Sequence, residues 1–263
     1  MSSRVALVTG AARGIGAATT IKLAELGWSV LAVDLAGADP ALPYDMATEE
    51  ELAAVVDKAA APERVRGHVA DVRDQSALAN AVAEAEARWG GLDAAIAAAG
   101  VIAGGVPMWE VPPGQEDAVL DVDLRGVLNL ARAAIPALLR RPEPRSGRFL
   151  AVSSAAATRG LPMLAAYCAA KAGVAGFIRA LGSELGGSGV TANAVSPGST
   201  DTPILAESAR LYGLAGAGQF AAQQPLGRLL DPAEIASLLA FLASTDSSAM
   251  TGAVVPVDGG LAL

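Results

Sequence analysis

Short apolar runs alternate along this chain with longer stretches in which apolar residues recur every three or four positions. The short runs predict buried strands at 4–8, 29–33, 65–70, 92–98, 148–153, 190–195 and 253–257. The periodic stretches predict helices from a glycine-rich loop to residue 26, over 48–60, 75–89, 116–139 and 231–242, and around 167–171. Strands that alternate with such helices indicate parallel βαβ units. No linker, repeat or low-complexity segment divides the sequence, so we predict one α/β domain over 1–263.

Composition narrows the class of protein. The 263 residues are 52% hydrophobic and 17% charged, which predicts a large buried core. The net charge of −8 argues against nucleic acid as a partner, because binding to phosphates requires a basic surface. The single cysteine, Cys168, excludes an internal disulfide. With His68 as the only histidine, a zinc site of ordinary composition cannot be built, so we expect no bound metal.

The sequence also bears on localisation. Its beginning leads directly into the first predicted strand and lacks the charged and apolar segments of a secretory signal. The most apolar run, 94–109, is interrupted by glycines and a proline and is too short to span a bilayer. We therefore predict a cytoplasmic protein that does not enter a membrane.

A glycine-rich loop, Thr9-Gly10-Ala11-Ala12-Arg13-Gly14-Ile15-Gly16, joins the first strand to the first helix. Its glycines permit backbone amides and a helix N-terminus to approach a pyrophosphate closely. The spacing Gly-x3-Gly-x-Gly differs from the commoner Gly-x-Gly-x-x-Gly, so the loop fits the mechanism without matching that fingerprint. A tight strand-to-helix turn without a ligand is the alternative interpretation.

Asp34 stands at the end of the second predicted strand. In a dinucleotide site, a carboxylate at this place accepts hydrogen bonds from the adenosine ribose and repels a 2′-phosphate, which favours NAD over NADP. Arg13 favours NADP instead, because its guanidinium could pair with that phosphate. Asp34 could also be only a turn residue.

Tyr167 and Lys171 are four residues apart, which on a helix places both side chains on one face. A phenol has a pKa of about 10, and a nearby ammonium ion stabilises its phenolate form. The pair can therefore act as a proton-transfer device. The same spacing also arises by chance in many helices.

Together these features resemble the compact branch of the short-chain dehydrogenase/reductase family over nearly the whole chain. The glycine loop is similar to the family's cofactor loop, and Asp71-Val72 is similar to its adenine-ring pair. Pro197-Gly198 with Thr202 matches the segment that contacts the nicotinamide. Ser154 lies thirteen residues before Tyr167, as in the family's catalytic set.

The resemblance implies a Rossmann fold, with a doubly wound parallel seven-stranded sheet and helices on both faces. It implies an NAD(H)-dependent oxidoreductase, of EC 1.1.1 type, that interconverts a secondary alcohol and its ketone or aldehyde by hydride transfer, and it implies a homotetramer. The catalytic set it assigns is Ser154, Tyr167, Lys171 and Asp123. The cofactor contacts it assigns are Gly10, Arg13, Gly14, Ile15, Gly16, Asp34, Asp71, Val72, Ala98, Ala99, Gly100, Tyr167, Lys171, Pro197, Gly198, Thr200 and Thr202.

Two positions depart from the family pattern. The family usually has Asn-Asn-Ala-Gly after the fourth strand, and this chain has Ala97-Ala98-Ala99-Gly100, for which we expect a small effect on stability. The family's fourth catalytic residue, an asparagine, is replaced by Asp123. A carboxylate there could be tolerated, or it could pair with Lys171 and weaken the effect of that lysine on Tyr167.

The segments 155–168 and 195–202 resemble an actinobacterial subgroup associated with the redox peptide mycofactocin, which makes that peptide a candidate partner and suggests an NAD that stays bound. Two rival functions use the same fold: a sugar-nucleotide epimerase or dehydratase, and a non-catalytic regulator that senses the cofactor. The glycine spacing and the short C-terminal part argue against the epimerase.

The substrate is expected to lie over 155–164 and beneath 199–224, both rich in apolar residues. The loop after the fourth strand, with Val101, Ile102, Val106, Met108 and Trp109, is expected to add an apolar wall. These residues favour a hydrophobic small-molecule alcohol or ketone. The alternative is that they pack a subunit interface.

Overall fold

The computed structural model of the chain describes residues 3–262, so Met1, Ser2 and Leu263 of the predicted domain lie outside the described residues. Its centre is one parallel sheet with the strand order β3-β2-β1-β4-β5-β6-β7. The strands are β1 Val5–Thr9, β2 Ser29–Asp34, β3 Val65–Val69, β4 Ala94–Ala97, β5 Arg148–Val152, β6 Thr191–Pro197 and β7 Val254–Val257. The order reverses direction between β1 and β4, which opens a crevice at the carboxyl ends of these two strands.

Helices cover both faces of the sheet. They are α1 Gly14–Glu25, α2 Glu49–Lys58, α3 Gln75–Trp89, α4 Pro113–Leu120, α5 Gly126–Arg140, α6 Ala165–Glu184, α7 Pro203–Leu211 and α8 Pro232–Ala243. The core cluster on one face includes residues of α1, α2 and α8, and the cluster on the other includes residues of α3, α5 and α6. The predicted doubly wound Rossmann fold is therefore confirmed.

The central strands are apolar throughout because both of their faces are buried. Successive side chains of β1 point to opposite faces, so Leu7 packs with the α3, α5 and α6 side while Ala6 and Val8 pack with the α1 and α8 side. Burial on both sides explains why the sequence shows short continuous apolar runs here rather than alternation.

In two segments the observed secondary structure differs from the prediction. The long helix predicted over 116–139 is interrupted by a π-helical turn at Asp121–Arg125, which joins α4 to α5. Pro136 lies inside α5 without ending it. The segment 199–224, for which we predicted no element, contains α7 and a 3-10 turn at Ala217–Gln223.

Residues 36–47, here called the strap, connect β2 to α2 without regular structure. The strap ends where Thr48 and Glu51 form a capping box at the start of α2. Across residues 3–262, none of the helices is both long enough and apolar enough to cross a bilayer.

Candidate active site

A cavity of 620 Å³ lies at the carboxyl ends of the strands, along the crevice between β1 and β4. Ser154 and every residue that the sequence assigned to the cofactor line it. Asp123, the fourth residue of the predicted catalytic set, lies behind this wall and touches Lys171. The fold thus brings residues from distant parts of the chain to one continuous site.

The glycine loop packs closely against the end of β4. Gly10 has a φ of +66°, and a Cβ on it would lie 2.6 Å from the Ala99 Cα. A Cβ on Gly16 would collide with the Gly10 carbonyl oxygen. These glycines let the backbone form a narrow cradle at the N-terminus of α1, where free N–H groups and the helix dipole favour a phosphate. The cradle therefore fits a dinucleotide pyrophosphate.

Asp34 is fixed at the edge of this cradle by backbone groups. Its Oδ2 accepts a hydrogen bond from the Ala12 N–H at 2.9 Å, and its Oδ1 accepts one from the Ala36 N–H at 3.2 Å. Arg13 lies on the same side, where its guanidinium donates to the Asp45 carbonyl in the strap at 2.9 Å. Asp34 is thus fixed beside the cradle by two backbone N–H groups, while Arg13 is bound to the strap.

The predicted adenine pair, Asp71 and Val72, is held from two sides. Arg73 forms a bidentate contact with Asp71, and Asn129 of α5 donates to the Val72 carbonyl at 3.1 Å. Burial raises the pKa of Asp71, but hydrogen bonds from Arg73 and its charge outweigh burial and lower that pKa below its ordinary value. Sequence reasoning missed Arg73, although its place directly after Asp71-Val72 was a usable signal.

The segment predicted to contact the nicotinamide begins at Pro197, the last residue of β6. The Gly198 N–H donates to the Val257 carbonyl at 3.1 Å, and the buried Gln224 side chain accepts from the Ser199 N–H at 2.8 Å. Thr202 caps α7 by accepting from the Leu205 N–H at 3.3 Å. These contacts fix the backbone of Pro197–Thr202 along the cavity wall.

Ser154, Tyr167 and Lys171 meet where β5 and α6 approach each other. Tyr167 and Lys171 lie one turn apart on α6, with the Lys171 Nζ 5.5 Å from the centroid of the Tyr167 ring. The Ser154 Oγ accepts from the Ala156 N–H at 3.1 Å, which orients the hydroxyl at the start of a 3-10 turn. A phenol, an ammonium ion and a hydroxyl therefore converge on one end of the cavity.

Asp123 and Lys171 form a buried ion pair beside this trio. The Lys171 Nζ lies 3.1 Å from the Asp123 Oδ2, off the direction of a hydrogen bond, and donates to the Val152 carbonyl at 3.2 Å. The Asp123 Oδ1 accepts from the Val101 N–H at 2.7 Å. Burial lowers the pKa of Lys171, but the charges of Asp123 and Tyr167 and the close contact with Asp123 together outweigh burial and raise that pKa above its ordinary value. Burial likewise raises the pKa of Asp123, and Lys171 opposes that increase.

The pKa of Tyr167 reflects the same neighbours. Burial raises it, Lys171 lowers it, Asp123 raises it again, and the adjacent Ser154 hydroxyl lowers it. The net direction is above the ordinary value of a phenol. Asp123 thus counteracts the stabilisation of phenolate that the Tyr-x-x-x-Lys spacing predicts.

The strap contributes residues that sequence reasoning did not assign to the site. Asp39 is buried and bridges to Arg73 at 2.7 Å, while the Tyr44 hydroxyl accepts from the Ile102 N–H at 3.0 Å. Burial raises the pKa of Tyr44 to about 12. Further strap residues that line the cavity are Gly37, Met46 and Ala47. The strap therefore lies along the part of the cavity that a cofactor would fill.

The part of the cavity next to Ser154 and Tyr167 is largely apolar. Its lining residues, which come from 155–164 and from 203–223, include Leu161, Pro162, Leu164, Ile204, Leu205, Leu214 and Phe220. The Tyr212 hydroxyl donates to the Pro162 carbonyl at 2.7 Å and links the two sides. Arg159 supplies charge at the mouth, where it donates to the Leu261 carbonyl.

The predicted apolar wall after β4 is only partly correct. Val101 and Ile102 line the cavity, whereas Met108 and Trp109 form an exposed 3-10 turn, with Trp109 81% exposed. Gly104 and Gly105 have positive φ and redirect the chain beyond Ile102, which explains the difference.

Residues 10–262 match a protein-family model described as enoyl-(acyl carrier protein) reductase. A cis-4-hydroxycyclohexanecarboxylate dehydrogenase of Sinomonas cyclohexanicum is 38% identical over 267 residues, covering 98% of this chain and 96% of the relative. A crystal structure of carveol dehydrogenase from Mycobacterium avium in complex with NAD has a TM-score of 0.92 and 31% identity, covering 99% of this chain and 98% of the other. The crystal structure of an actinorhodin polyketide ketoreductase variant with NADPH has a TM-score of 0.89 and 30% identity. The match covers 100% of this chain and 99% of the ketoreductase.

These relatives span almost the entire chain, and the two solved structures among them hold NAD and NADPH, respectively. The match extends from the glycine loop to the last strand and includes every element that lines the cavity. The chain therefore belongs to the short-chain dehydrogenase/reductase family of oxidoreductases.

Proposed function

We propose that this protein is an NAD(H)-dependent oxidoreductase that interconverts a secondary alcohol and its carbonyl compound. The observation that carries the proposal is that a single cavity contains both a dinucleotide cradle and a group of residues able to transfer a proton. The glycine cradle and Asp34 lie at one end, and Ser154, Tyr167 and Lys171 lie at the other. A bound nicotinamide would supply the hydride chemistry, and the protein would supply position and charge.

In this mechanism Tyr167 exchanges a proton with the substrate oxygen. Its phenolate accepts the hydroxyl proton during oxidation, and its phenol returns a proton during reduction. Ser154 donates a hydrogen bond to the same oxygen and stabilises negative charge as it develops. Lys171 favours the phenolate and offers hydrogen bonds to the nicotinamide ribose.

The first experiment is a calorimetric titration with NAD and NADP, combined with analysis of the denatured supernatant for co-purified nucleotide. Bound or released NAD supports the proposal and leads to a screen of secondary alcohols with an artificial electron acceptor present. The acceptor keeps turnover visible even if NAD is not released. A protein that neither binds nor releases a nicotinamide nucleotide would contradict the proposal.

Asp34→Ala is expected to relax the preference for NAD. The variant loses charged hydrogen bonds to the ribose, so NAD affinity should fall roughly tenfold while repulsion of the 2′-phosphate disappears. The ratio of the Kd values for NAD and NADP measures the effect. Arg13→Ala is the companion variant and should keep the preference, because Arg13 is bound to the strap. An unchanged ratio in Asp34→Ala would remove the role of Asp34.

Strong retention of the cofactor is a further part of the proposal, and it is supported by the strap. The strap is attached through Asp39 to Arg73, through Tyr44 to Ile102, and by Asp45 to the glycine loop. Release of a nucleotide beneath it requires several of these contacts to open. This agrees with an NAD that is re-oxidised in place by a redox partner such as mycofactocin, to whose associated subgroup segments 155–168 and 195–202 are similar.

Asp39→Ala is expected to speed cofactor exchange by roughly tenfold, because it breaks a partly buried charged contact. The measurement is the rate at which isotopically labelled NAD replaces bound NAD. Asp45→Ala is the matched control, since that side chain is exposed and only its backbone carbonyl binds Arg13. Equal exchange rates in Asp39→Ala and the control would contradict the role of the strap, and rapid exchange in the unaltered protein would contradict retention.

The apolar lining favours a hydrophobic substrate whose one polar group is the reacting oxygen.

We also propose a homotetramer. The edge strand β7 is partly exposed, and Phe241 of α8 is 42% exposed, so both elements carry apolar surface that another chain could cover. Static light scattering distinguishes a four-chain particle from a monomer.

A further inference from the structure

The fully buried Asp123 carboxylate is held in place by the π-helical turn between α4 and α5. In this turn the Gly126 N–H reaches back five residues to the Asp121 carbonyl. The Asp123 side chain lies against the loop after β4, where its Oδ1 accepts from the Val101 N–H, and its Oδ2 faces the Lys171 Nζ. Single π turns within helices are frequent at functional sites.

The pair changes the charge that Tyr167 experiences. Whether the shared proton resides on Lys171 or on Asp123, the pair has no net charge. A lone ammonium ion at the position of Lys171 would favour the phenolate of Tyr167, whereas a neutral pair provides only a dipole. Both groups are removed from water, so solvent screens this difference little.

Two other ionisable side chains interact with this cluster: Cys168 acts on Tyr167, and Asp123 acts on Tyr44. Cys168 precedes Lys171 on α6, and Tyr44 of the strap lies on the side of Asp123. Glu207 of α7 and Arg13 of the glycine loop act on Tyr44. Glu207 is itself paired with Arg210 through two hydrogen bonds. Asp123 is therefore the carboxylate that acts on Lys171 and Tyr167 directly.

We propose that Asp123 is a positioning residue that neutralises the Lys171 ammonium ion and thereby keeps Tyr167 protonated to a higher pH than Lys171 alone would allow. The proposal rests on the proposed function for its catalytic consequence. Oxidation of an alcohol requires the phenolate form of Tyr167. The pair therefore raises the pH at which oxidation becomes fast, and it favours reduction near neutral pH. The charge arrangement itself can be tested without a substrate.

The test uses tyrosine labelled with 13C at Cζ and NMR titration of the protein as purified. The chain has three tyrosines, and the resonance of Tyr167 is assigned by its absence in Tyr167→Phe. In Asp123→Asn the titration midpoint of Tyr167 should fall by about 1 pH unit or more. The variant side chain is isosteric, and its oxygen can still accept from Val101. If Asp123→Asn does not fold, Asp123→Ser provides the same removal of charge.

Asp121→Asn is the matched control, because it removes the same charge from the same turn at a partly exposed position paired with Arg125. Its Tyr167 midpoint should not move. A midpoint in Asp123→Asn that is unchanged or higher, or an equal shift in Asp121→Asn, would overturn the proposal. For an alcohol that is oxidised, the rising limb of kcat/KM against pH should shift by the same amount as the NMR midpoint. Absence of any turnover would contradict the proposed function and leave the NMR result to decide this inference.

Discussion

Tyr167→Phe is expected to lower the turnover of any alcohol substrate by about 10²–10⁴-fold, the range typical of a lost general acid or base. The phenyl ring fills the same space on α6 but cannot exchange a proton with the substrate oxygen. Cofactor affinity should stay close to that of the unaltered protein, because the cradle and Asp34 lie at the other end of the cavity. Single-turnover kinetics and a nucleotide titration measure the two effects separately.

Tyr212→Phe is the control for this experiment. Tyr212 also lines the cavity, but its hydroxyl donates to the Pro162 carbonyl, so its loss should affect substrate binding more than kcat. Equal activity of Tyr167→Phe and the unaltered protein would contradict the assigned mechanism. Nucleotide binding without turnover of any alcohol, in both proteins, would instead favour the cofactor-sensing regulator.

The sheet and its helices could be predicted from sequence because the signals for them are local. Strands buried on both faces give short apolar runs in the sequence, and in the helices between them apolar residues recur every three or four positions. The residues themselves predict the glycine loop and Asp34, whereas the family resemblance assigns Gly100 and Ser154. The sheet explains why these residues meet, since the carboxyl ends of parallel strands lie at one edge. Asp34 at the end of β2, Gly100 beyond β4 and Ser154 beyond β5 all line the cavity.

The strap could not be predicted in the same way. It has no periodic pattern, and its position depends on contacts over long sequence separations. Asp39 meets Arg73 across 34 residues, and Tyr44 meets Ile102 across 58. The local sequence around these residues does not indicate their distant partners. The strap therefore resembles an ordinary loop in the sequence, although in the structure it lines the cavity.

The sequence left two outcomes open for Asp123, a tolerated carboxylate or a partner of Lys171. The pattern over 116–139 is that of a continuous helix, and it does not indicate the π turn that precedes α5. The ion pair depends on that turn and on the approach of α6, which bring Asp123 and Lys171 to 3.1 Å. The tertiary structure shows that Asp123 lies against Lys171.

The same pair predicts a large effect on stability. Lys171→Met keeps an apolar side chain of similar length but leaves Asp123 buried without its cation. Removal of one partner from a buried ion pair costs about 3–5 kcal/mol, so the free energy of unfolding at neutral pH should fall by this amount. Urea denaturation followed by circular dichroism measures it.

The pH dependence of this loss has a defined sign. In Lys171→Met, burial still raises the pKa of Asp123, and the lysine that opposed this increase is gone. An unfolded aspartate ionises at about pH 3.9, so above that pH the native state binds the extra proton. Stability should therefore be nearly intact below this pH and should decline as pH rises toward the folded pKa of Asp123.

The double variant Lys171→Met/Asp123→Asn tests whether the buried charge is the cause. It removes both charges while the introduced amide oxygen can still accept from the Val101 N–H, so most of the lost stability should return at neutral pH. Its stability should also lose the decline with pH that we expect for Lys171→Met. Equal stability of the single and double variants at neutral pH would show that lost packing, not an unpaired carboxylate, destabilises Lys171→Met.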